Sequence, residues 1–129
     1  MYVHAALITL LTVLLLTVAM ALVGRARGKY RVSAPAITGH PGFERTFRAH
    51  QNTIEQAVGF LPVLWVASVY GNEAWAAWAG YAWLLARGWY LVAYMREGGN
   101  RGPGFTLAML AWVALWIIAI AGLWPALFD

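Results

Sequence analysis

The sequence predicts an all-α membrane protein, a bundle of four transmembrane helices. Of its 129 residues, 62% are hydrophobic and 11% are charged, whereas soluble domains carry about 25% charged residues. The apolar residues are grouped in long runs that are separated by polar or basic segments. Because a helix needs about 20 mostly apolar residues to cross the hydrocarbon core, we expect a single transmembrane domain over residues 1–129 and exclude a soluble globule.

The apolar runs give the positions of the four spans. The first run contains no charged residue and is long enough to cross a bilayer at about 1.5 Å per helical residue. The third run is interrupted by Arg87, and the second begins with a polar stretch that is compatible with a helix. The predicted spans are about residues 5–24, 48–70, 74–95 and 105–127.

Glycine and proline mark the longer connections between these spans. Residues 24–43 contain several of both and predict an irregular first loop, and residues 97–104 predict a flexible turn around Arg101. The second connection, residues 70–74, contains only one charged residue, Glu73.

The basic residues predict the orientation in the membrane. Of the nine Lys and Arg residues, all but Arg87 lie in or beside the first and third connections. By the positive-inside rule these connections face the cytoplasm and both termini face the other side. With no retention or transit signal recognised, we expect an integral protein of a bacterial cytoplasmic (inner) membrane. The net charge of +4 is then a topology signal, and nucleic acid is not an expected partner.

The number of cysteines and the spacing of the histidines argue against several kinds of site. The chain contains no Cys, which excludes disulfides, zinc fingers and cysteine nucleophiles. Its three histidines, His4, His40 and His50, share no spacing typical of metal ligands. We therefore expect no metal site.

Polar residues recur on one face of the second helix and on one face of the third. On the second helix their spacing of three and four residues defines a polar stripe: Arg45, Arg48, Asn52 and Glu55. On the third helix the residues that share a face are Arg87, Tyr90 and Tyr94. A cation, an amide, a carboxylate and two phenols at one membrane mouth suit a small zwitterionic or anionic ligand.

Glu55 and Arg87 are predicted to form an ion pair inside the membrane. At about 1.5 Å per residue, Glu55 lies about 10 Å inside Arg48 and Arg87 lies about 12 Å inside Met95. A charge facing lipid costs about 3 kcal/mol, so we expect the two to face inward and pair. Such a pair would either fix helix packing or contribute to function, and the sequence leaves both readings open.

The motif that joins Arg48, Asn52 and Glu55 resembles the MAPEG superfamily, the membrane-associated proteins of eicosanoid and glutathione metabolism. The resemblance includes residues 43–55 and continues through residues 85–90 to Tyr94 and Arg101, and the layout of four spans extends it to the whole chain. It is closest in kind to the microsomal glutathione transferases and leukotriene synthases of that superfamily.

This resemblance implies a homotrimer with glutathione bound between neighbouring subunits near the cytoplasmic side. Arg101 corresponds to the catalytic arginine that stabilises the glutathione thiolate, and Arg96 is the alternative if the alignment of this turn shifts. The glutathione-binding residues that the resemblance implies are Arg27, Arg48, Asn52, Glu55, Tyr90 and Tyr94.

The function implied is a membrane-embedded glutathione transferase, or peroxidase, that conjugates the glutathione thiolate to hydrophobic electrophiles, including lipids. Glutathione is then a co-substrate. One alternative is a non-catalytic scaffold of the same family that binds lipid or glutathione without turnover. Another is a small proton-coupled exporter that uses Glu55, because intramembrane carboxylates often mark proton pathways.

Overall fold

A computed structural model describes residues 1–129 and contains four long helices with short connections. The helices are α1 (Val3–Tyr30), α2 (Pro41–Tyr70), α3 (Glu73–Met95) and α4 (Gly102–Phe128). The predicted all-helical fold with four helices is confirmed. A helix satisfies its backbone hydrogen bonds within one segment, which is why long apolar runs take this form in lipid.

The first helix is longer than predicted. It continues to Tyr30, past the span end expected at residue 24, and the irregular loop is confined to residues 31–40. Arg, Lys and Ala favour a helix in this basic stretch and outweigh its glycines, and basic side chains in the last turn interact favourably with the helix dipole. The helix ends at Tyr30, and the next residue, Arg31, has a left-handed backbone (φ 56°). The Arg31 and Val32 amides both donate to the Arg27 carbonyl.

The second helix also starts earlier than predicted, at Pro41. The His40 ring accepts a hydrogen bond from the Gly42 amide at 3.0 Å, which caps the helix. The Tyr30 ring stacks on His40 with centroids 4.1 Å apart, and it contacts Gly42 where a side chain would collide with it. The polar first turns of α2 are thereby fixed against the end of α1.

The core lies between α2 and α3. Both of these helices contact all the others, whereas α1 and α4 flank them and do not contact each other. Phe60 and Trp83 stack face to face with centroids 3.8 Å apart at the centre of the bundle. At Gly80 an added Cβ would lie 2.7 Å from Ile8 Cδ1. The missing side chain at this position lets α1 and α3 approach closely.

The protein is an integral membrane protein. Three helices, α1, α2 and α4, are long and apolar enough to cross a bilayer. The outward surfaces of α1 and α4 expose large apolar side chains, among them Leu10, Leu14, Leu110 and Ile117. The predicted span over α3 does not meet the same hydropathy criterion, because this helix is rich in Trp, Tyr and Gly and contains Arg87.

Candidate functional site

The polar stripe of α2 lies beside the packed face of that helix. Arg45 and Asn52 are half-buried, and Arg48 and Glu55 are exposed on the surface of the subunit. Thr53 is fully buried and follows Asn52 by about 100° around the helix. Asn52 therefore stands at the edge of the bundle, where it can contact both the interior and the outside.

The predicted ion pair between Glu55 and Arg87 is not formed. Arg87 is buried and donates from Nη2 to the Asn52 Oδ1 atom at 3.0 Å and to the Thr53 hydroxyl at 2.7 Å. Residues two positions apart on a helix differ by about 200° in direction. Since Thr53 faces Arg87, Glu55 faces away from Arg87. The spacing of the stripe showed that its residues share a face but not which way that face of α2 is turned.

Two cations and two phenol rings form a chain of contacts from the interior of the bundle to its surface. The Arg87 guanidinium lies over the Tyr90 ring at 3.9 Å from its centroid. Tyr90 meets Tyr94 edge to face with centroids 5.5 Å apart, and the Arg101 guanidinium lies over the Tyr94 ring at 4.6 Å. Tyr94 thus holds the Arg101 guanidinium in place by a cation–π contact.

A cavity of about 320 Å³ opens at the same end of the bundle. Its lining residues come from α2, α3 and the start of α4: Asn52, Tyr90, Arg101, Gly102 and Phe105. The lining offers an amide, a phenol and a guanidinium, and no carboxylate faces it. No group of three or more His, Asp or Glu side chains is arranged to hold a metal ion. This chemistry suits a small ligand with anionic or hydrogen-bond-accepting groups.

Close contact between α3 and α4 fixes the position of Arg101. At Gly104 an added Cβ would lie 2.7 Å from the Tyr90 backbone nitrogen, so the two helices touch at this level. The start of α4 is secured by a hydrogen bond of 3.0 Å from the Gly102 amide to the Asn100 side chain. Arg101 immediately precedes the helix, and the cation is therefore held beside the mouth of the cavity.

Arg27 lies apart from this cavity within the subunit. Its guanidinium donates to the Ala36 carbonyl at 2.7 Å and to the Val32 carbonyl at 3.3 Å. It also lies over the Phe43 ring at 4.8 Å. Arg27 therefore holds the loop between α1 and α2 in place.

The structure brings three of the sequence-predicted site residues, Asn52, Tyr90 and Arg101, to one cavity. Arg48 and Glu55 lie outside its lining and are exposed. Sequence reasoning missed Phe105, which lines the cavity, and Thr53, a structural partner of Arg87 that does not line it. Thr53 belongs to the buried face and also donates to the Ala49 carbonyl at 2.8 Å, a common habit of helical threonine, so no local signal distinguished it.

The chain is similar to known proteins over most of its length. The model of the MAPEG family matches residues 5–121. An uncharacterized protein of Synechocystis is 43% identical over 115 residues, which cover 89% of this chain and 84% of that protein.

Two further relatives have names that state an activity. Microsomal glutathione S-transferase 2 of Homo sapiens is 36% identical over 107 residues, covering 83% of this chain and 73% of that protein. Leukotriene C4 synthase of Cavia porcellus is 42% identical over 111 residues, covering 85% and 74%. The match over nearly the whole chain shows that this protein belongs to the MAPEG family.

Proposed function

We propose that this protein is a membrane-embedded glutathione transferase that joins the glutathione thiolate to hydrophobic electrophiles. The observation that carries the proposal is the cavity in which Asn52, Tyr90 and Arg101 converge. It occurs in a chain that shares more than a third of its residues with a glutathione transferase over the matched region. Amide, phenol and guanidinium donors are the groups that bind a tripeptide's carboxylates and carbonyls.

Arg101 supplies the catalytic cation in this proposal. A free thiol has a pKa of about 8.5, so it is mostly protonated at neutral pH, and only the thiolate is a good nucleophile. Lowering this pKa to about 6.5 requires ~2.7 kcal/mol of preferential stabilisation of the anion, which a guanidinium beside the sulfur provides. The thiolate then attacks the electrophilic carbon, a C–S bond forms and the leaving group departs with its electron pair.

The remaining binding residues complete the site from a second subunit. Arg48 and Glu55 are charged and exposed on a helix that meets the criterion for a membrane span, and a charge left against lipid costs about 3 kcal/mol. A homotrimer removes this cost by covering the stripe. In it, Glu55 receives the glutathione ammonium, Tyr94 lines the site, and Arg48 or Arg27 binds its carboxylates.

The cavity opens toward the cytoplasm in this arrangement. The basic residues cluster at the same end of the bundle as Arg101, so the positive-inside rule places that end in the cytoplasm and both termini on the other side. In this proposal α3 is the fourth span, with Arg87 shielded inside the bundle. The membrane is a bacterial cytoplasmic membrane, and hydrophobic electrophiles, including lipids, enter from the bilayer.

Glutathione binding and enzymatic turnover together test this proposal. Purified protein in detergent is titrated with glutathione by calorimetry and then assayed with glutathione and a chlorodinitrobenzene. We expect saturable binding and a rate above the uncatalysed reaction, and an organic hydroperoxide tests for peroxidase activity. Binding with neither rate would contradict the enzyme and favour a scaffold. Proton-driven uptake of a cationic drug into vesicles that is lost in Glu55→Gln would favour an exporter.

A further inference from the structure

Arg87 is a buried cation that has no carboxylate partner in the subunit. Its side chain is 1% exposed, and its hydrogen bonds go to Asn52 and Thr53. Its Nε–H group has no hydrogen-bond partner. A buried charge without a counter-ion is costly, and an apolar residue of similar volume is often at least as stable in its place. Packing is therefore a poor explanation for an arginine here.

The contact between Arg87 and Asn52 fixes the direction of the Asn52 amide. A guanidinium has only hydrogen-bond donors, so the Asn52 oxygen must face Arg87, as it does at 3.0 Å. The NH2 group of Asn52, with two donors, is left for other partners. Because Asn52 lines the cavity, these donors are available to a ligand there.

The same guanidinium also contacts the second cavity residue on α3. It lies 3.9 Å from the centroid of the Tyr90 ring, one helical turn along. The buried Arg87 side chain thus contacts one cavity residue on α2, Asn52, and one on α3, Tyr90. Removing it would free the amide to rotate and would remove a positive charge from behind the cavity.

We infer that Arg87 is a positioning residue that holds the N–H donors of Asn52 toward the cavity, so that this subsite accepts a carboxylate or a peptide carbonyl. The identification of that group as part of glutathione rests on the proposed function. The orientation of the Asn52 amide rests only on its contact with Arg87. It favours a hydrogen-bond acceptor as the partner of Asn52, because both N–H donors of the amide are then directed away from Arg87.

The first experiment replaces Asn52 with aspartate and, separately, with alanine. Asn52→Asp keeps an oxygen for Arg87 and turns the contact into an ion pair, so we expect a melting temperature in detergent at or above wild type. Asn52→Ala leaves Arg87 with one acceptor fewer and should melt lower. This comparison needs no ligand. An Asn52→Asp protein that melts as low as Asn52→Ala would overturn the assigned orientation.

Glutathione binding by the same two variants tests the subsite. Asn52→Asp has lost both donors and presents a carboxylate, so calorimetry should show binding at least about ten-fold weaker than wild type, as expected for a lost hydrogen bond to a charged group. Unchanged or tighter binding would overturn the inference. Absence of binding by wild type would instead contradict the proposed function, while the melting temperatures would still decide how the amide is oriented.

The second experiment removes Arg87 itself. Arg87→Met fills a similar volume and leaves no unpaired charge, so it should fold. We expect the KM for glutathione to rise about ten-fold while kcat stays within about three-fold, since Arg101 remains. Arg87→Lys should recover part of the loss, because an ammonium still donates to the Asn52 oxygen.

Thr53→Val is the matched control. It removes the other acceptor of Arg87, which lies outside the cavity lining, and should lower the melting temperature while leaving the KM for glutathione unchanged. An equal rise of KM in Thr53→Val and Arg87→Met would show a general packing effect and overturn the positioning role. A wild-type KM in Arg87→Met would overturn it as well.

Discussion

The two ends of the bundle differ in how their polar side chains are satisfied. We call the end with residues 31–40 and 96–101 the basic end, and the end with residues 71–72 and both termini the aromatic end. At the aromatic end, the His4 ring and the Tyr81 hydroxyl share a hydrogen bond of 2.8 Å, and the Trp65 indole donates to Thr9 at 2.9 Å.

At the basic end the polar groups remain partly open. Arg48 and Glu55 are exposed, Asn52 is half-buried, and Arg101 stands at the edge of a cavity. Polar groups that satisfy one another stabilise a fold, whereas groups held in place but left open can bind. This difference supports the proposal that the ligand binds at the basic end.

The largest effect is expected for Arg101→Ala. If Arg101 lowers the pKa of the bound thiol from about 8.5 to about 6.5, its loss reduces the thiolate fraction at pH 7 about 20-fold. We expect turnover to fall by about that factor while glutathione affinity changes only a few-fold. The pH–rate profile should shift to higher pH, and the rates should converge above pH ~9.

The control is Arg96→Ala, which removes an exposed cation from the same connection. It should leave the pH–rate profile in place. If Arg96→Ala shifts the profile and Arg101→Ala does not, the catalytic role belongs to Arg96.

The next largest effect is expected for Gly104→Ala, at the contact between α3 and α4. In Gly104→Ala the new Cβ would meet the Tyr90 backbone at 2.7 Å, and overpacking of this kind costs about 1–3 kcal/mol. We expect a lower melting temperature and a lower turnover, since Arg101 moves with the start of α4.

Gly122→Ala makes a closer collision at the aromatic end, with the Tyr70 and Gly71 backbone. Its melting temperature should also fall, but turnover measured well below that temperature should be retained. Equal loss of turnover in both glycine variants would contradict a functional difference between the two ends.

Glu55→Gln is expected to affect binding more than stability. Because Arg87 is bound to Asn52 and Thr53, removing the Glu55 charge does not strand a buried cation, and the melting temperature without ligand should change little. Loss of the charged partner of the glutathione ammonium should weaken binding about ten-fold, as measured by calorimetry. Glu73→Gln, at the aromatic end, is the matched control and should bind as wild type does.

The smallest effect is expected for Tyr81→Phe at the aromatic end. The substitution removes the hydroxyl that pairs with His4, and a hydrogen bond contributes about 0.5–1.5 kcal/mol. Because both partners are near the surface, the change in melting temperature should be at the low end of this range, with turnover unchanged. A loss of turnover would place part of the function at the aromatic end.

Much of the fold could be predicted because its signals are local. The length and hydropathy of each run gave four helices, and the spacing of Asn52 and Glu55 placed both on one stripe. Local signals failed where two tendencies competed. Around Gly24 the glycines suggested a loop, whereas the strong helix formers that follow extended α1 to Tyr30.

The candidate site was also predicted only in part, because local signals identified its residues but not all of their contacts. The spacing and the family resemblance singled out Asn52, Tyr90 and Arg101, and the fold brings them to one cavity. The partner of Arg87 was missed, because Asn52 and Glu55 lie on one stripe less than one helical turn apart, and an estimate of depth did not distinguish them. Arg27 was expected near the ligand, but within one subunit its guanidinium is occupied by loop carbonyls.

The sequence by itself determined that this is a membrane protein of four helices and which end of the bundle carries the basic residues. Hydropathy, helical period and charge are properties of neighbouring residues, so they can be read along the chain. Only the tertiary structure decided which face of α2 turns to α3. That rotation depends on close packing at Gly80 and on the Phe60–Trp83 stack, contacts between residues far apart in the chain. Such contacts are fixed by the shapes that meet in the core, and no pattern along a single helix contains them.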